Sequence, residues 1–161
     1  RMDYLTRISN RRHFEEMLAN EIQRSNRYNH PLSLVYMDID NFKAINDNLG
    51  HRAGDKVLTA ISSVINGNIR SSDTIARLGG DEFAILLVET DEREAGKFIK
   101  KLQYELLLAM DSYTFPVTFS FGIAVFYSFT MSIREMMHVA DACMYHSKKA
   151  GKNKISIKAV R

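Results

Sequence analysis

The sequence predicts an α+β fold of the α/β-sandwich type: a mixed, mostly antiparallel five-stranded central sheet surrounded by helices. Three observations carry that expectation. Segments of helix and strand period follow one another as helix, strand, two helices, hairpin, helix, strand, helix, strand. A Gly79-Gly80-Asp81-Glu82 stretch separates two apolar runs in the manner of a β-hairpin. The chain of 161 residues, 45% hydrophobic and 25% charged, has the size and composition of one soluble domain. At that length about 68–70% of the unfolded surface can be buried.

Asn10 to about Asn29 reads as an amphipathic helix, with Phe14, Met17, Leu18 and Ile22 at helical spacing and Asn10 as N-cap. Leu32 to Met37 is a nearly continuous apolar run, the pattern of a buried central strand, and it stops at Asp38-Ile39-Asp40. Phe42, Ile45 and Leu49 make a short helix closed by Gly50. A second helix is expected from about Asp55, with Val57, Leu58, Ile61, Val64 and Ile65 on one side. Asp73 to Ala76 and Ala84 to Val88 flank the hairpin, and Thr90-Asp91 leads into a helix through Ala95, Ile99, Leu102 and Leu106. After Pro116, Val117, Phe119, Phe121, Ile123 and Val125 recur with period two. A last helix carries Met136, Met137, Ala140 and Met144, ends at Gly151, and precedes a strand at Ile155 to Ile157.

Composition excludes several functions. No apolar run approaches the ~18–20 residues of a membrane span, and no signal-peptide pattern opens the chain. The single Cys143 excludes an internal disulfide and suits a reducing compartment. A net charge of +3 suits phosphate ligands without arguing for nucleic acid. There is no P-loop and no metal-ligand spacing among the five histidines. Residues 1–161 read as one domain, cut from a longer protein, with no repeat or linker.

The chemistry concentrates in carboxylates. Side chains alternate along a strand, so Asp38 and Asp40 share a side while Ile39 points into the core. If this strand lies beside the hairpin, Asp38 nears Asp81 and Glu82, a cluster that repels itself unless hard divalent cations fill it. Mg²⁺ takes one or two carboxylates plus substrate phosphates, so such a site implies a phosphate-bearing substrate. Two ions ~3.5–4 Å apart suit in-line phosphoryl displacement. The alternative is that Asp38 and Asp40 cap the next helix, and that the hairpin is an ordinary acidic turn. Asn46 and Asp55 can together read guanine, whose N1–H and amino group donate to a carboxylate; Asp55 is equally an N-cap after Gly54, and Asn46 a surface residue. Lys148, Lys149, Lys152 and Lys154 complement a helix dipole or grip a triphosphate. Cys143 reads, with the neighbouring methionines, as core filling.

Together these residues resemble the GGDEF family of diguanylate cyclases. The resemblance runs through Asp3-Tyr4-Leu5-Thr6, Asn10-Arg11-Arg12-His13-Phe14, Met37-Asp38-Ile39-Asp40-Asn41-Phe42-Lys43 and Ile45-Asn46-Asp47. It continues through Gly50-His51-Arg52-Ala53-Gly54-Asp55, the unaltered hairpin, Ala140 to Tyr145 and Gly151-Lys152-Asn153. It implies a fold similar to nucleotidyl cyclases and polymerase palms, and condensation of two GTP to cyclic di-GMP and two pyrophosphates with two Mg²⁺ or Mn²⁺ per active site. Asp38, the carbonyl of Ile39, Asp81 and Glu82 then look like metal ligands, with Asp81 also helping to deprotonate the attacking 3′-hydroxyl and Glu82 catalytic beside it. Asn46, Asp55 and His51 look like the guanine pocket. Asn41, Phe42, Lys43, Lys148 and Lys152 look like phosphate contacts, and Gly79 and Gly80 would let ribose and α-phosphate approach.

The same resemblance implies a homodimer in catalysis, an N-terminal sensory or receiver region, and cytoplasmic placement, with the parent protein open to membrane anchoring. It implies no nucleic-acid polymer as partner and no membrane contact by the domain itself. Arg70-Ser71-Ser72-Asp73 matches the family's product-inhibition motif. Two departures stand out: the usual Thr-Gly-Leu-Pro turn reads Thr6-Arg7-Ile8-Ser9, and Lys152 replaces a common Arg, keeping charge but losing bidentate geometry. A catalytically silent sensor or dimerisation module is the alternative function. A nucleic-acid nucleotidyl transferase lacks the basic, aromatic-interleaved stripe it would need.

Overall fold

Two nine-residue strands, buried along almost their whole length, build the molecule. In the computed structural model, which describes residues 1–113 and 116–161, the elements are α1 (Arg11–Tyr28), β1 (Leu32–Asp40), α2 (Phe42–Leu49), α3 (His51–Asn66), β2 (Thr74–Gly79), β3 (Glu82–Leu87), α4 (Glu92–Ala109), β4 (Thr118–Phe126), α5 (Ile133–Lys149) and β5 (Ile155–Val160). The strands form one sheet in the order β2-β3-β1-β4-β5. Of its four pairs, β4 and β5 are parallel, joined through α5, and the other three are antiparallel. The expected mixed, mostly antiparallel α+β fold is the one found.

The sheet is buried on both faces. Val35, Met37 and Ile39 of β1 join Val117, Phe119, Phe121, Ile123 and Val125 in a core covered by α2, α3 and α4. Leu32, Leu34 and Tyr36 face the other way, into a core shared with α1 and α5 through Phe14, Leu18, Met136, Met137, Ala140 and Met144. Period two then carries Asp38 and Asp40 onto the α1/α5 side. At Gly122 of β4, an added Cβ would lie 2.1 Å from the Met144 nitrogen and 2.4 Å from the Ala140 carbonyl oxygen. Only glycine lets α5 seat backbone against backbone there, which brings Lys148 to the end of β1.

Four local expectations change. β1 does not stop at Met37: pairing with β4 continues from Leu32↔Phe126 to Asp40↔Thr118, whereas pairing with β3 ends at Asp38↔Glu82. Two residues of β1 therefore overhang the hairpin. Neither aspartate caps α2, whose N-cap is Asn41 with no side-chain cap bond. α3 begins at His51 behind Gly50 (φ 90), not at Asp55, so Asp55 lies inside a helix and is no N-cap. Cys143 is half-buried rather than core filling, while Met136, Met137 and Met144 are buried. The capping positions of α1 and α4 match expectation, with Asn10 accepting from the His13 N–H and Asp91 forming a capping box with Glu94. Among the described residues no helix is long and apolar enough to cross a membrane.

Candidate active site

β2 and β3 turn at Gly80-Asp81, with Gly79 opposite Glu82 and a bulge between Arg77 and Gly79. Gly79 (φ 149) and Gly80 (φ 51) take backbone conformations that side chains disfavour, and a Cβ on either would meet nothing within 4 Å. The turn thus presents bare backbone to open space. It is held from behind: Arg77 donates through Nε to the Gly80 carbonyl (2.9 Å) and through Nη1 to Asp3 (3.2 Å). Asp3 also accepts from the Thr6 N–H (2.9 Å) and hydroxyl (2.6 Å). Burial raises the Asp3 pKa, but the Thr6 hydrogen bonds and Arg77 outweigh it and leave the carboxyl below its ordinary value. This brace was missed from sequence, since Arg77 and Asp3 stand 74 residues apart.

The register sets Asp38 directly opposite Glu82, and the Ile39 N–H donates to the Asp81 carbonyl at 3.3 Å. Asp38, Asp81 and Glu82 are thereby brought together as expected. Like charges opposed across a sheet are destabilising, and the site carries that stress. Burial and the facing Asp81 push the Asp38 pKa up to about 7, against the opposing pull of Lys148. Burial, Asp141 and Asp38 raise that of Glu82. One Asp38 oxygen, Oδ1, is buried without any hydrogen-bond partner. Such an atom is costly unless a donor or cation meets it. The donor set of hard oxygens, one of them unpartnered, fits a divalent cation. No three His, Cys, Asp or Glu groups among the described residues form a ready-made cage, so an ion here would draw further ligands from outside the chain, as Mg²⁺ does with water and phosphate.

Asp40, two residues on, is fully buried and fully bonded: Thr118 Oγ1 (2.7 Å), Ser120 Oγ (2.7 Å) and the Asn153 N–H (3.0 Å) all donate to it. It pins the α5–β5 loop to the end of β1. Lys152 and Asn153 enter that loop with left-handed backbone (φ 65 and 51), and the Lys152 ammonium reaches Asn41 Oδ1 at 2.9 Å. Lys148, expected to reach phosphate, lies 3.1 Å from Asp38 Oδ2 and 3.5 Å from Asp40 Oδ1. There its ammonium offsets the charge of both carboxylates. Lys43 is exposed nearby on α2.

Asn46 and Asp55 are brought into one neighbourhood. A Cβ on Gly54 would lie 2.0 Å from Asn46 Oδ1 and 3.2 Å from Phe42 Cζ, so α2 and α3 touch through that glycine, next to Asp55. Asn46 is half-buried, and Asp55 and His51 are exposed. Arg70 and Asp73 lie at the far end of the hairpin, away from the carboxylates. Arg70 forks onto Asp73 (3.1 Å to each oxygen), and Asp73 also accepts from the Arg70 and Val88 N–H groups, both 3.0 Å. The Asp73 side chain is 2% exposed and that of Arg70 56%, so the guanidinium, not the carboxylate, meets solvent.

These features can be set beside known proteins. The chain is 35% identical over 160 residues to the diguanylate cyclase DosC of Escherichia coli, covering 97% of this chain and 35% of that protein. It is 36% identical over 153 residues to the bifunctional diguanylate cyclase/cyclic di-GMP phosphodiesterase MucR of Pseudomonas aeruginosa, covering 94% of this chain and 22% of that protein. The chain thus spans about a third or less of these relatives. The fold matches the coiled coil and GGDEF domain of DgcB from Caulobacter crescentus in complex with c-di-GMP, with a TM-score of 0.90, 28% identity, and 98% and 85% of the two chains covered. It also matches the active GGEEF domain of a diguanylate cyclase from Vibrio cholerae (TM-score 0.84, 27% identity, 93% and 97% covered). The model of the family described as diguanylate cyclase, GGDEF domain, matches residues 1–154, a span that takes in the Asp3 brace, the hairpin, Lys148 and Lys152, and the chain belongs to that family.

Proposed function

We propose that the domain condenses two GTP molecules into cyclic di-GMP and two pyrophosphates. The observation that carries this reading is the buried, unpartnered Asp38 oxygen facing the Asp81-Glu82 turn. Asp38, the Ile39 carbonyl, Asp81 and Glu82 would hold Mg²⁺ or Mn²⁺, two per site. Bound there, the ions would neutralise charge developing on the α-phosphate. Asp81 helps take the proton from the attacking 3′-hydroxyl. Asn46 and Asp55, with His51 at the rim, bind the guanine edge by accepting from N1–H and the amino group. Asn41, Phe42 and Lys43 line the β- and γ-phosphates, and Lys148 and Lys152 turn from Asp38 and Asn41 to reach them. Gly79 and Gly80 leave room for ribose and α-phosphate.

The balance fixes the assembly. Two 3′-oxygens form two P–O bonds, two bonds to pyrophosphate break, and two protons leave. One chain offers one carboxylate cluster, so a homodimer is needed, each copy holding one GTP. Regulation by an N-terminal sensory or receiver region and placement on the cytoplasmic side, where GTP is, go with this reading. Product inhibition would act through the exposed Arg70 guanidinium, with Asp73 holding it in place.

Incubating the domain with GTP and Mn²⁺ at high concentration, then separating nucleotides by chromatography, tests the proposal. Cyclic di-GMP is expected; GTP binding without product would leave a silent nucleotide-sensing module. Asp55→Ala should raise KM for GTP by about 1–3 kcal/mol of lost base contact while sparing kcat. Arg70→Ala should relieve inhibition by added cyclic di-GMP, and an unchanged inhibition constant would remove Arg70 from that role.

A further inference from the structure

The condensation proposed above has each 3′-hydroxyl attack the other nucleotide's α-phosphate, so two copies must meet across a two-fold axis. An interface of that symmetry has to be complementary to itself. A groove beside the hairpin can meet that requirement. It has a volume of about 990 Å³, opens between α1 and α5 and is lined by Glu82, the hairpin carboxylate. Buried Tyr36 also lines it, and Arg11, Glu15, Arg134 and Asp141 add charge of both signs. None of these four charged side chains has an ion-pair partner among the described residues. Elsewhere on α1 the pattern is different: Arg12 meets Glu16 and Arg24 meets Glu21 within the helix. Charge of both signs without an ion-pair partner is therefore gathered beside a hairpin carboxylate that the reaction needs close to a second copy.

We propose that this groove is the surface on which a second copy of the domain docks, with Arg11 of each copy meeting Asp141 of the other and so setting the two hairpins in register. The proposal rests on the cyclase reading for its two-fold geometry. The charges fit a like partner better than a simple ion: an anion would be met by Glu15, Glu82 and Asp141, and a cation by Arg11 and Arg134. In a two-fold contact that sets Arg11 against Asp141, the pairing is made twice, once on each side of the axis. Charge pairs of this kind act on register and association rate as well as affinity.

Charge exchange between chains provides the test. Arg11→Glu and Asp141→Arg are made separately in the 161-residue chain. Each variant paired with itself sets like charges together twice, so association, read by sedimentation or by energy transfer between labelled copies, should weaken by about tenfold or more, with cyclic di-GMP synthesis falling alongside. An equimolar mixture restores both contacts. On one side of the axis the two substituted positions face each other with their signs exchanged, and on the other the unaltered Arg11 faces the unaltered Asp141. Association and synthesis should then recover to within about twofold of the parent. Binding of a fluorescent GTP analogue, unchanged in each variant, reports that the domain is folded. Rescue only when both changes share one chain would mean the pair acts within a protomer, and would overturn the proposal. So would full association by either single variant. If the mixture restores association while no protein, parent included, makes cyclic di-GMP, the interface stands and the cyclase reading falls.

Discussion

Asp38 and Asp40 stand two residues apart on one face of one strand, and their surroundings are opposite. Asp40 is wholly buried, with two hydroxyls and a backbone N–H donating to it. Asp38 has one oxygen on Lys148, the other buried and unpartnered, and faces Asp81 and Glu82. The boundary between them is a matter of register. β3 ends at the residue opposite Asp38, while β4 continues to the one opposite Asp40. A buried carboxylate with all its donors holds the fold together, whereas one lacking a partner marks where something else must bind.

The comparison is broken most directly at Asp40. Asp40→Ala leaves the buried Ser120 hydroxyl, the Thr118 hydroxyl and the Asn153 N–H without their acceptor and should lower the unfolding free energy by about 3–5 kcal/mol. Urea denaturation checks it, and a loss under about 1 kcal/mol would mean that Asp40 anchors nothing. Asp38→Asn should act in the other sense. Removing one of three crowded carboxylates should leave metal-free stability unchanged or raised by up to about 1 kcal/mol, while turnover falls about 10²–10³-fold with the loss of an ion-holding group. Equal destabilisation by the two variants would erase the distinction.

Strand alternation alone makes the pair legible: it sets Asp38 and Asp40 on one face, and the hairpin signal supplies Asp81 and Glu82. Which of the two aspartates stays free is not legible, because the donors to Asp40 lie 78, 80 and 113 residues away in sequence. The same distance hides the Asp3–Arg77 brace. Asp55 fails as an N-cap for a different reason. Gly54 looks like a helix breaker in sequence, but in the fold it is a buried helix residue chosen for the close approach of Asn46, and the break falls at Gly50. Element order survives such errors because periodicity over ten or more residues outweighs any single glycine.

Lys148 sharpens the comparison, since it is shared by both aspartates. Its ammonium stands where a divalent cation would compete for Asp38, while the hydrogen-bonded Asp40 keeps it in reach. Lys148→Met should therefore raise Mn²⁺ affinity without nucleotide by about tenfold, roughly 1.4 kcal/mol, and weaken GTP binding. Paramagnetic resonance titration of free Mn²⁺ separates the two effects. Unchanged Mn²⁺ affinity would show that the lysine is no competitor.

A third aspartate gives the smallest effect. Asp3 is satisfied like Asp40, by Thr6 and Arg77, but is partly open to solvent like the active-site rim. Burial works against its charge, and the hydrogen bonds with Arg77 overcome that and set its folded pKa below the ordinary 3.8. A depressed carboxyl contributes stability that is present above the unfolded value and lost as pH falls through the folded one. Asp3→Asn should thus cost about 0.5–1 kcal/mol at pH 7 after solvent screening, and the gap between variant and parent should close as pH drops below 3.8. Unfolding curves that stay parallel down to about pH 2.5 would mean that the Asp3 charge is not what holds the N-terminal turn to the hairpin, and that Arg77 braces Gly80 unaided.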